Sequence, residues 1–356
     1  MKRIGHLYDK ITDIENIKLA IINASRKKRD RPAVIRVLED IEGHALKIHH
    51  ILETESYIPS PYYEVKIIDN SSCKERMIHK PKFFPDQVIH WAVMQIVQPS
   101  LLKGMYYYCC GSVPGRGGQR GYKAIKKWLK MDPKYTKYCL QIDVSKFYPS
   151  IDQVALKAML RGKLKDERCL KLLDSIIEST EAGLPIGNYT SQWLANFYLE
   201  GLDHYIKEEL GIKYYIRYMD DGVMFGNNKK ALHKARRLIE MYLSRIKLKL
   251  KGNWQVFKVD ARPIDFLGFR FYRAHVTMRR RNALRIRRRI RKVSRKPVLN
   301  YTDAAAIISY LGWIYNSNSY KYFEKYVKPY IDIKKLKEVI RHESRKQHNT
   351  TASFRS

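Results

Sequence analysis

The spacing of apolar residues divides the N-terminal part of the chain into helical and extended segments. Over residues 14–56 apolar side chains recur at intervals of three and four, which predicts helical structure. Residues 62–68 alternate in the manner of a strand. A further helix is predicted over 86–102, with Asp86 as its N-cap.

The rest of the chain mixes helical patterns with hairpin-like strands. A glycine-rich loop is predicted over 111–121, and a change in composition near residue 277 predicts a domain boundary. Helices combined with antiparallel hairpins predict an α+β fold. The predicted helices cover 121–130, 152–161, 166–179, 188–209, 229–246, 303–314 and 320–345, and the predicted strands cover 137–143, 213–219, 222–226 and a pair near 255–277.

Composition restricts the class of partner. The 356 residues include 69 Lys and Arg against 35 Asp and Glu, a formal charge of +34. Such a chain repels itself unless polyanions are near, which favours nucleic acid or an anionic membrane surface as a partner. No apolar run of membrane-spanning length and no secretion signal is present, and the five cysteines form no CxxC pair. We therefore expect a reduced, cytoplasmic protein without a membrane span, a disulfide framework or a zinc site.

Three acidic residues carry the candidate chemistry. Asp220 and Asp221 precede a glycine between two strongly apolar strands, and Asp143 ends another strand of buried type. A solvated Asp-Asp-Gly turn is the alternative interpretation. Carboxylates gathered at strand ends repel each other unless a cation is present. Two Mg²⁺ ions, with Mn²⁺ as a substitute, would suit these oxygen ligands and in-line phosphoryl transfer.

Two further segments are candidates for nucleic-acid contact. The loop over 111–121 matches neither a dinucleotide fingerprint nor a Walker motif, but its glycines and arginines would suit a phosphate backbone; a plain connector is the alternative. Nine of the fourteen residues 279–292 are Arg or Lys. This segment is either a solvated helical face or a binding surface for a nucleic-acid backbone.

Several ordered motifs resemble those of reverse transcriptases. Tyr-Met-Asp-Asp at 218–221 resembles the metal-binding hairpin of these enzymes, and residues 143–151 resemble their first catalytic motif. Residues 183–192 are similar to the nucleotide-pocket segment, and residues 265–269 to the primer-grip hairpin. The segments 76–102 and 107–125 look like fingers motifs, so the resemblance covers about residues 70–275.

The resemblance implies a right-hand polymerase of α+β class. Residues 70–277 would form the fingers and palm, 278–356 a basic helical thumb, and 1–69 a helical extension of unassigned role. RNA template, RNA/cDNA duplex and dNTPs would be its ligands. The implied roles are metal binding for Asp143, Asp220, Asp221 and the carbonyl of Val144; nucleotide binding for Lys74, Arg76, Tyr148 as a steric gate, Ile186, Gly187, Gln192 and Lys249; primer grip for Phe266, Leu267 and Gly268; and nucleic-acid binding for Arg116, Arg120, Arg279, Arg280, Arg281, Arg287 and Arg288. Lys247 and Lys251 remain alternatives to Lys249 near the departing pyrophosphate.

The pocket segment indicates a subtype. Ile-Gly-Asn-Tyr-Thr-Ser-Gln at 186–192 resembles enzymes of diversity-generating retroelements, whereas group II intron enzymes typically have Pro-Gln-Gly there, and retron signatures are not found. The resemblance implies copying of a template-repeat RNA into cDNA with errors at adenines, in a bacterial, phage or archaeal host, with a pentameric accessory variability protein as partner. A retron-like or free-standing group II-like enzyme in phage defence is the alternative. A nucleic-acid-binding scaffold with an inert acidic turn is the alternative from another class.

Overall fold

The computed structural model describes residues 3–69 and 74–352, which combine helices with antiparallel sheets. The predicted α+β class is confirmed. The chain forms two compact units, which we describe separately: Met1–Gly121 with Tyr138–Val256, and Tyr122–Lys137 with Phe257–Ser356. Of the predicted features, Cys73 and the side chain of Lys74 lie outside the described part.

The elements follow in chain order. The helices are α1 Tyr8–Thr12, α2 Ile14–Ser25, α3 Pro32–Glu39, α4 Ile41–Glu53, α5 Val88–Leu102, α6 Gly117–Met131, α7 Phe147–Ser150, α8 Gln153–Lys163, α9 Glu167–Ile177, α10 Tyr189–Tyr198, α11 Glu200–His204, α12 Lys229–Arg245, α13 Arg280–Ser294, α14 Tyr301–Tyr315, α15 Tyr320–Tyr326 and α16 Ile333–Ala352. The strands are β1 Tyr63–Asp69, β2 Lys74–Lys80, β3 Tyr138–Asp143, β4 Tyr214–Tyr218, β5 Asp221–Gly226, β6 Gln255–Lys258, β7 Ile264–Phe266, β8 Phe269–Phe271 and β9 Val276–Met278.

The first unit is built around antiparallel strands in the order β4-β5-β3. Because β5 has a neighbour on each side, four of its six residues are fully buried, which accounts for its nearly continuous apolar sequence. Helix α2 packs against α4 and α5, and the apolar faces of these helices join the side chains of the sheet in one core. A separate hairpin pairs β1 with β2.

The second unit combines a small meander with helices. Strands β7, β8 and β9 pair in sequence order, and α14 packs against α13 and α16. Ile286, Ile290, Ile307 and Leu311 form part of the buried core between these helices. No helix in either range of described residues is long and apolar enough to cross a membrane.

Some boundaries differ from the prediction because local signals interrupt the pattern. The helical region 14–56 is three helices, since Pro32 begins α3 and the side chain of Asp40 caps α4 by accepting from the Gly43 amide at 2.8 Å. The predicted helix 188–209 is interrupted at Leu199 and ends in a short π-helical turn. Helix α6 begins within the predicted glycine-rich loop, and the predicted strand pair near 255–277 is four short strands.

The prediction of Asp86 as an N-cap is wrong. Helix α5 begins at Val88, after a π-helical turn over Phe83–Gln87. Asp86 is buried, and its Oδ1 accepts from the Tyr57 hydroxyl at 2.9 Å and from the Ser60 amide at 3.0 Å. The Asp86 carboxylate therefore binds residues distant in sequence instead of capping the helix, as the sequence pattern predicted.

Candidate active site

The acidic residues lie at one end of the sheet in the first unit. Tyr218 pairs with Asp221 across the β4–β5 hairpin, so Asp220 lies in the turn, after Met219 with its positive φ of 56°. On the other side of β5, Asp221 pairs with Asp143. The Val144 amide donates to the Asp220 carbonyl at 3.2 Å, which ties the turn to the end of β3. Strand register therefore brings the three acidic residues to one edge.

The carboxylates of Asp143 and Asp220 influence each other. Burial, followed by the negative charge of Asp143, raises the pKa of Asp220 to about 6. Oδ1 of Asp143 is buried and accepts no hydrogen bond from any donor in the described structure. Its Oδ2 forms an ion pair with the ammonium of Lys251. The two carboxylates of Asp143 and Asp220 thus carry negative charge that Lys251 neutralises only in part.

The three alternating lysines after α12 have different partners. Lys251 is the lysine whose ammonium reaches the acidic edge, and its amide also donates to the Asp143 carbonyl at 2.8 Å. Lys247 instead pairs with Asp152 at 2.6 Å, beside the N-terminus of α8. Lys249 contributes its carbonyl to the Ser145 amide at 2.8 Å, and its side chain is exposed. Geometry therefore favours Lys251 over the predicted Lys249.

Tyr148 stands beside the acidic turn on the short helix α7. Burial and the negative charge of Asp220 raise the pKa of its hydroxyl, while the charge of Arg76 lowers it. The Leu184 amide donates to the Tyr148 carbonyl at 2.9 Å. Gly183 has a positive φ of 67°, and a Cβ there would lie 2.6 Å from the same carbonyl oxygen. The 183–184 segment therefore fixes the backbone under this ring.

The predicted pocket residues meet strand β2. The His79 amide donates to the Ile186 carbonyl at 2.8 Å, and a Cβ on Gly187 would lie 2.1 Å from the His79 carbonyl oxygen. Only glycine allows this approach. Arg76 lies on the same strand with an exposed side chain, and Gln192 is exposed on α10. The structure thus joins Ile186 and Gly187 to the strand that carries Arg76.

The two arginines of the glycine-rich segment contact residues that lie just before this segment in the chain. The Arg116 guanidinium donates to the carbonyls of Tyr106 at 2.7 Å and Met105 at 3.3 Å. The Arg120 guanidinium lies 4.4 Å from the ring centroid of Tyr107, which is 58% exposed. Arg116 therefore ties the glycine-rich segment to residues 105–106, whereas the Tyr107 ring beside Arg120 is open to solvent.

In the second unit, the predicted primer-grip residues form a tight turn between β7 and β8. Leu267 and Gly268 both have positive φ, 52° and 79°, as a two-residue hairpin of type I′ requires. A Cβ on Gly268 would lie 2.2 Å from the Trp313 ring, so only glycine fits. Phe266 is fully buried, and the Gly268 carbonyl accepts from the Asn282 side chain at 3.1 Å.

Helix α13 carries a basic face. Of the predicted arginines, Arg279 is ion-paired with Asp265, and Arg287 lies 4.6 Å from the ring centroid of Tyr326. The exposed side chains of α13 and its C-cap recur at helical spacing on one side. They are Arg280, Arg281, Leu284, Arg288, Arg291, Lys292, Ser294 and Arg295.

The acidic edge has oxygen ligands of the kind that a divalent cation prefers. Among residues 3–69 and 74–352, no three His, Cys, Asp or Glu side chains are arranged to hold a metal ion. Asp143 and Asp220 are close enough to influence each other, and Lys251 is paired with Asp143. Convergence of all three carboxylates on one ion stays a prediction. The unsatisfied Oδ1 of Asp143 and the proximity of two carboxylates nevertheless suit a hard cation. An ion bound there would compete with the Lys251 ammonium.

Comparison with known proteins gives the family. The sequence profile of the family described as reverse transcriptase (RNA-dependent DNA polymerase) matches residues 74–271, more than half of the 356-residue chain. The chain belongs to the reverse transcriptase family. The resemblance inferred from the motifs at 143–151 and 218–221 is confirmed at this level, and both motifs lie within the matched region.

Two curated relatives are similar to part of the chain. Group II intron-encoded protein LtrA from Lactococcus lactis subsp. cremoris is 26% identical over 170 residues, 45% of this chain and 28% of LtrA. The retron Ec73 reverse transcriptase of Escherichia coli is 25% identical over 213 residues, 53% of this chain and 67% of that enzyme. The chain therefore spans less than a third of the length of LtrA and about two thirds of that of the retron enzyme.

Solved telomerase structures are also similar. Apo telomerase from Candida tropicalis, truncated from its C-terminal domain, has a TM-score of 0.48 and 14% identity, covering 67% of this chain and 60% of that one. Telomerase from Candida albicans, in complex with a fragment of telomeric RNA, has a TM-score of 0.48 and 12% identity over 76% of this chain and 57% of its own.

The sequence interpretation missed a buried cluster under the acidic turn. Arg217 on β4 is 2% exposed and ion-paired with Asp203, which is fully buried. An available signal was the arginine itself, which interrupts the otherwise apolar and aromatic sequence of β4. A charge in a strand of this type requires a buried partner.

Proposed function

We propose that this chain is an RNA-directed DNA polymerase that extends a primer 3′ end on an RNA template. The observation that carries the proposal is the proximity of Asp143 and Asp220 at one sheet edge, where the Val144 amide donates to the Asp220 carbonyl, in a chain of the reverse transcriptase family. Template RNA, the RNA/cDNA duplex and dNTPs are the proposed ligands. The formal charge of +34 supports a polyanionic partner.

In the proposed enzyme, Asp143, Asp220, Asp221 and the carbonyl of Val144 hold two Mg²⁺ ions, with Mn²⁺ as a substitute. Bound ions of this kind lower the pKa of an attacking hydroxyl and stabilise charge on the departing phosphate. The buried, unsatisfied Oδ1 of Asp143 supports this assignment. Once an ion displaces it from Asp143, the Lys251 ammonium would be available to contact the phosphates.

The remaining pocket residues position the nucleotide in this proposal. Tyr148 excludes a ribose 2′-hydroxyl by occupying its space, and its fixed backbone supports that role. Arg76, with Lys74, contacts the triphosphate, because a guanidinium binds phosphate oxygens in pairs. Ile186 and Gly187 line the sugar and base, with Gln192 on α10 completing the segment.

In this proposal the domain roles are those predicted from the sequence. Residues 70–277 act as fingers and palm, 278–356 as thumb, and 1–69 as an N-terminal extension. The turn of Phe266, Leu267 and Gly268 grips the primer strand. The exposed face of α13 contacts the duplex backbone, and its arginines and lysine support this role. Cytoplasmic location is part of the same proposal.

The function is tested by primer extension on an RNA template. Asp220→Asn should lower Mg²⁺-dependent dNTP incorporation by about 100-fold or more, since it removes a charge that holds the ion. Glu240→Gln is the matched control, because it makes the same acid-to-amide change at an exposed residue paired with Arg236 on α12. Full activity in folded Asp220→Asn would favour the binding-scaffold alternative.

The subtype we favour is the enzyme of a diversity-generating retroelement, which copies a template-repeat RNA with errors at adenines for mutagenic retrohoming. Its support is the segment at 186–192, in which Ile186 presents an aliphatic side chain where many relatives have glutamine. An aliphatic group cannot hydrogen-bond the nucleotide, so base-pair geometry is checked less strictly. A pentameric accessory variability protein is the proposed partner.

A retron-like or free-standing group II-like enzyme in phage defence is the second candidate. The similarity to LtrA and to the retron Ec73 enzyme favours it. Sequencing of cDNA made by the wild type and by Ile186→Gln separates the two. Errors concentrated opposite adenine, and reduced by the substitution, support the diversity-generating subtype. An even error spectrum in both proteins supports the second candidate.

A further inference from the structure

A charged pair is buried directly beneath the acidic turn. The guanidinium of Arg217 donates from Nε to Oδ1 of Asp203 at 2.8 Å and from Nη2 to Oδ2 at 2.6 Å. Both side chains are at most 3% exposed. Burial of two charges is costly even when they are paired, so a pair of this kind is weak evidence for stability alone. Its other contacts indicate what it does.

Every N–H donor of Arg217 has an acceptor. Besides Asp203, Nη1 donates to the carbonyl of Met219 at 2.9 Å and to Oδ1 of Asn196 at 3.0 Å, and Nη2 donates to Sγ of Cys109 at 3.3 Å. Guanidinium has five donors in a rigid plane, whereas the lysine ammonium has three on a flexible stem. The arrangement of acceptors around Arg217 therefore requires the five planar donors of a guanidinium, and a positive charge alone would not satisfy it.

The Met219 carbonyl is the contact that reaches the candidate active site. Met219 directly precedes Asp220, and its positive φ of 56° is unusual for a residue with a side chain. Such a conformation persists only where surrounding contacts hold it. A Cβ on Gly111 would lie 2.6 Å from the Met219 nitrogen, and the Gly111 carbonyl accepts from Asn196 at 2.7 Å. The turn is therefore held at Met219 by two contacts, from Arg217 to its carbonyl and from Gly111 beside its nitrogen.

We propose that Arg217 is a positioning residue. Held in place by Asp203 and Asn196, it bonds the Met219 carbonyl and so keeps the 219–220 turn in the conformation that presents the Asp220 carboxylate to a divalent cation. The inference rests on the proposed function, because it assigns the turn to metal binding. A purely structural role would affect the folding of the unit alone. A positioning role affects cation affinity in molecules that remain folded.

The test compares Mn²⁺ affinity, read by the loss of the free-ion electron paramagnetic resonance signal, with thermal unfolding of the same full-length proteins. Arg217→Lys keeps the charge opposite Asp203 but loses donors to the Met219 carbonyl and Asn196. We expect Mn²⁺ affinity to fall by about 10- to 100-fold, as for other residues that orient metal ligands. The Mg²⁺ concentration for half-maximal primer extension should rise in parallel.

Arg273→Lys is the matched control. Arg273 also forks between a carboxylate and main-chain carbonyls, donating to Asp260 at 2.7 Å and to the Leu129 carbonyl at 3.0 Å, all within the second unit. Its replacement should lower the unfolding temperature without changing Mn²⁺ affinity. Should Arg217→Lys fail to fold, Asn196→Ser removes one Arg217 acceptor and leaves the Asp203 pair, and it should weaken Mn²⁺ binding in the same direction.

The outcomes separate this inference from the proposed function. Unchanged Mn²⁺ affinity in folded Arg217→Lys, or an equal loss in Arg273→Lys, would overturn the positioning role even if the wild type is an active polymerase. Wild-type protein that binds Mn²⁺ but incorporates no dNTP would refute the polymerase proposal, while the Arg217 comparison still decides the inference. Absence of Mn²⁺ binding by the wild type overturns the positioning role.

Discussion

Lys251 and Asp143 are joined twice, by an ion pair between their side chains and by a backbone hydrogen bond of 2.8 Å from the Lys251 amide to the Asp143 carbonyl. The backbone bond keeps the lysine beside the carboxylate whatever the side chain does. The ammonium therefore competes for Asp143 with any cation that the acidic edge binds. Of the three alternating lysines, it is the one with this contact.

Removing this competitor should strengthen cation binding. For Lys251→Met we expect Mn²⁺ affinity to rise about fivefold, the equivalent of a partly exposed ion pair of about 1 kcal/mol. Lys249→Met, which changes an exposed side chain, is the control. If Lys251 also meets the phosphates during reaction, kcat falls while Mn²⁺ binding improves. Equal Mn²⁺ affinities in the two variants would contradict the competition.

Discrimination against ribonucleotides should depend on the ring of Tyr148. We expect Tyr148→Ala to raise kcat/KM for CTP relative to dCTP by about tenfold or more, because space opens for the 2′-hydroxyl. Tyr148→Phe keeps the ring and should keep the discrimination. Single-nucleotide extension with each substrate measures both ratios. If the ratio of kcat/KM for CTP to that for dCTP is the same in Tyr148→Ala as in the wild type, Tyr148 is not the steric gate.

The exposed face of α13 should determine how steeply nucleic-acid binding depends on salt. We expect the double substitution of Arg288 and Arg291 by Gln to reduce the slope of log affinity against log salt by about two, one for each lost phosphate contact. Arg289→Gln is the control in the same helix, because Arg289 is already paired with Asp303, which also contacts Lys296. Fluorescence anisotropy on a labelled RNA/DNA hybrid gives the slopes, and parallel slopes would exclude this face from the contact.

A buried histidine in α5 should make the fold sensitive to acid. Burial lowers the pKa of His90 to about 4, against an ordinary value of 6.5, although the charge of Asp86 partly opposes this shift. Between these values the unfolded chain binds a proton that the folded chain does not, so stability is present above pH 6.5 and is lost as pH falls toward 4, by about 3 kcal/mol in all. Urea unfolding of the wild type and of His90→Gln across this range should show a shallower pH dependence in the variant. His50→Gln, at an exposed position in α4, should follow the wild type.

Local rules in the sequence determined much of this protein. Asp152 and Asp166 cap α8 and α9 because a side-chain oxygen can satisfy an amide a few residues ahead whatever the rest of the chain does. The acidic turn between β4 and β5 and the strand ending at Asp143 follow from short apolar runs beside turn residues. The order of the motifs was sufficient to identify the reverse transcriptase family, and the family profile confirms it.

Other features were decided by tertiary structure alone. Three contacts join residues that are distant in sequence or that have several possible partners. Asp86 is bonded by Tyr57 and Ser60, and Lys251 rather than Lys249 contacts Asp143. Arg217 holds the Met219 carbonyl. Each depends on which polar group loses its water and must find a partner inside the packed unit. Spacing along the chain records periodicity and turn chemistry, but desolvation is a property of the three-dimensional neighbourhood. For that reason the sequence indicated which residues carry charge, and the folded chain determined which charges meet.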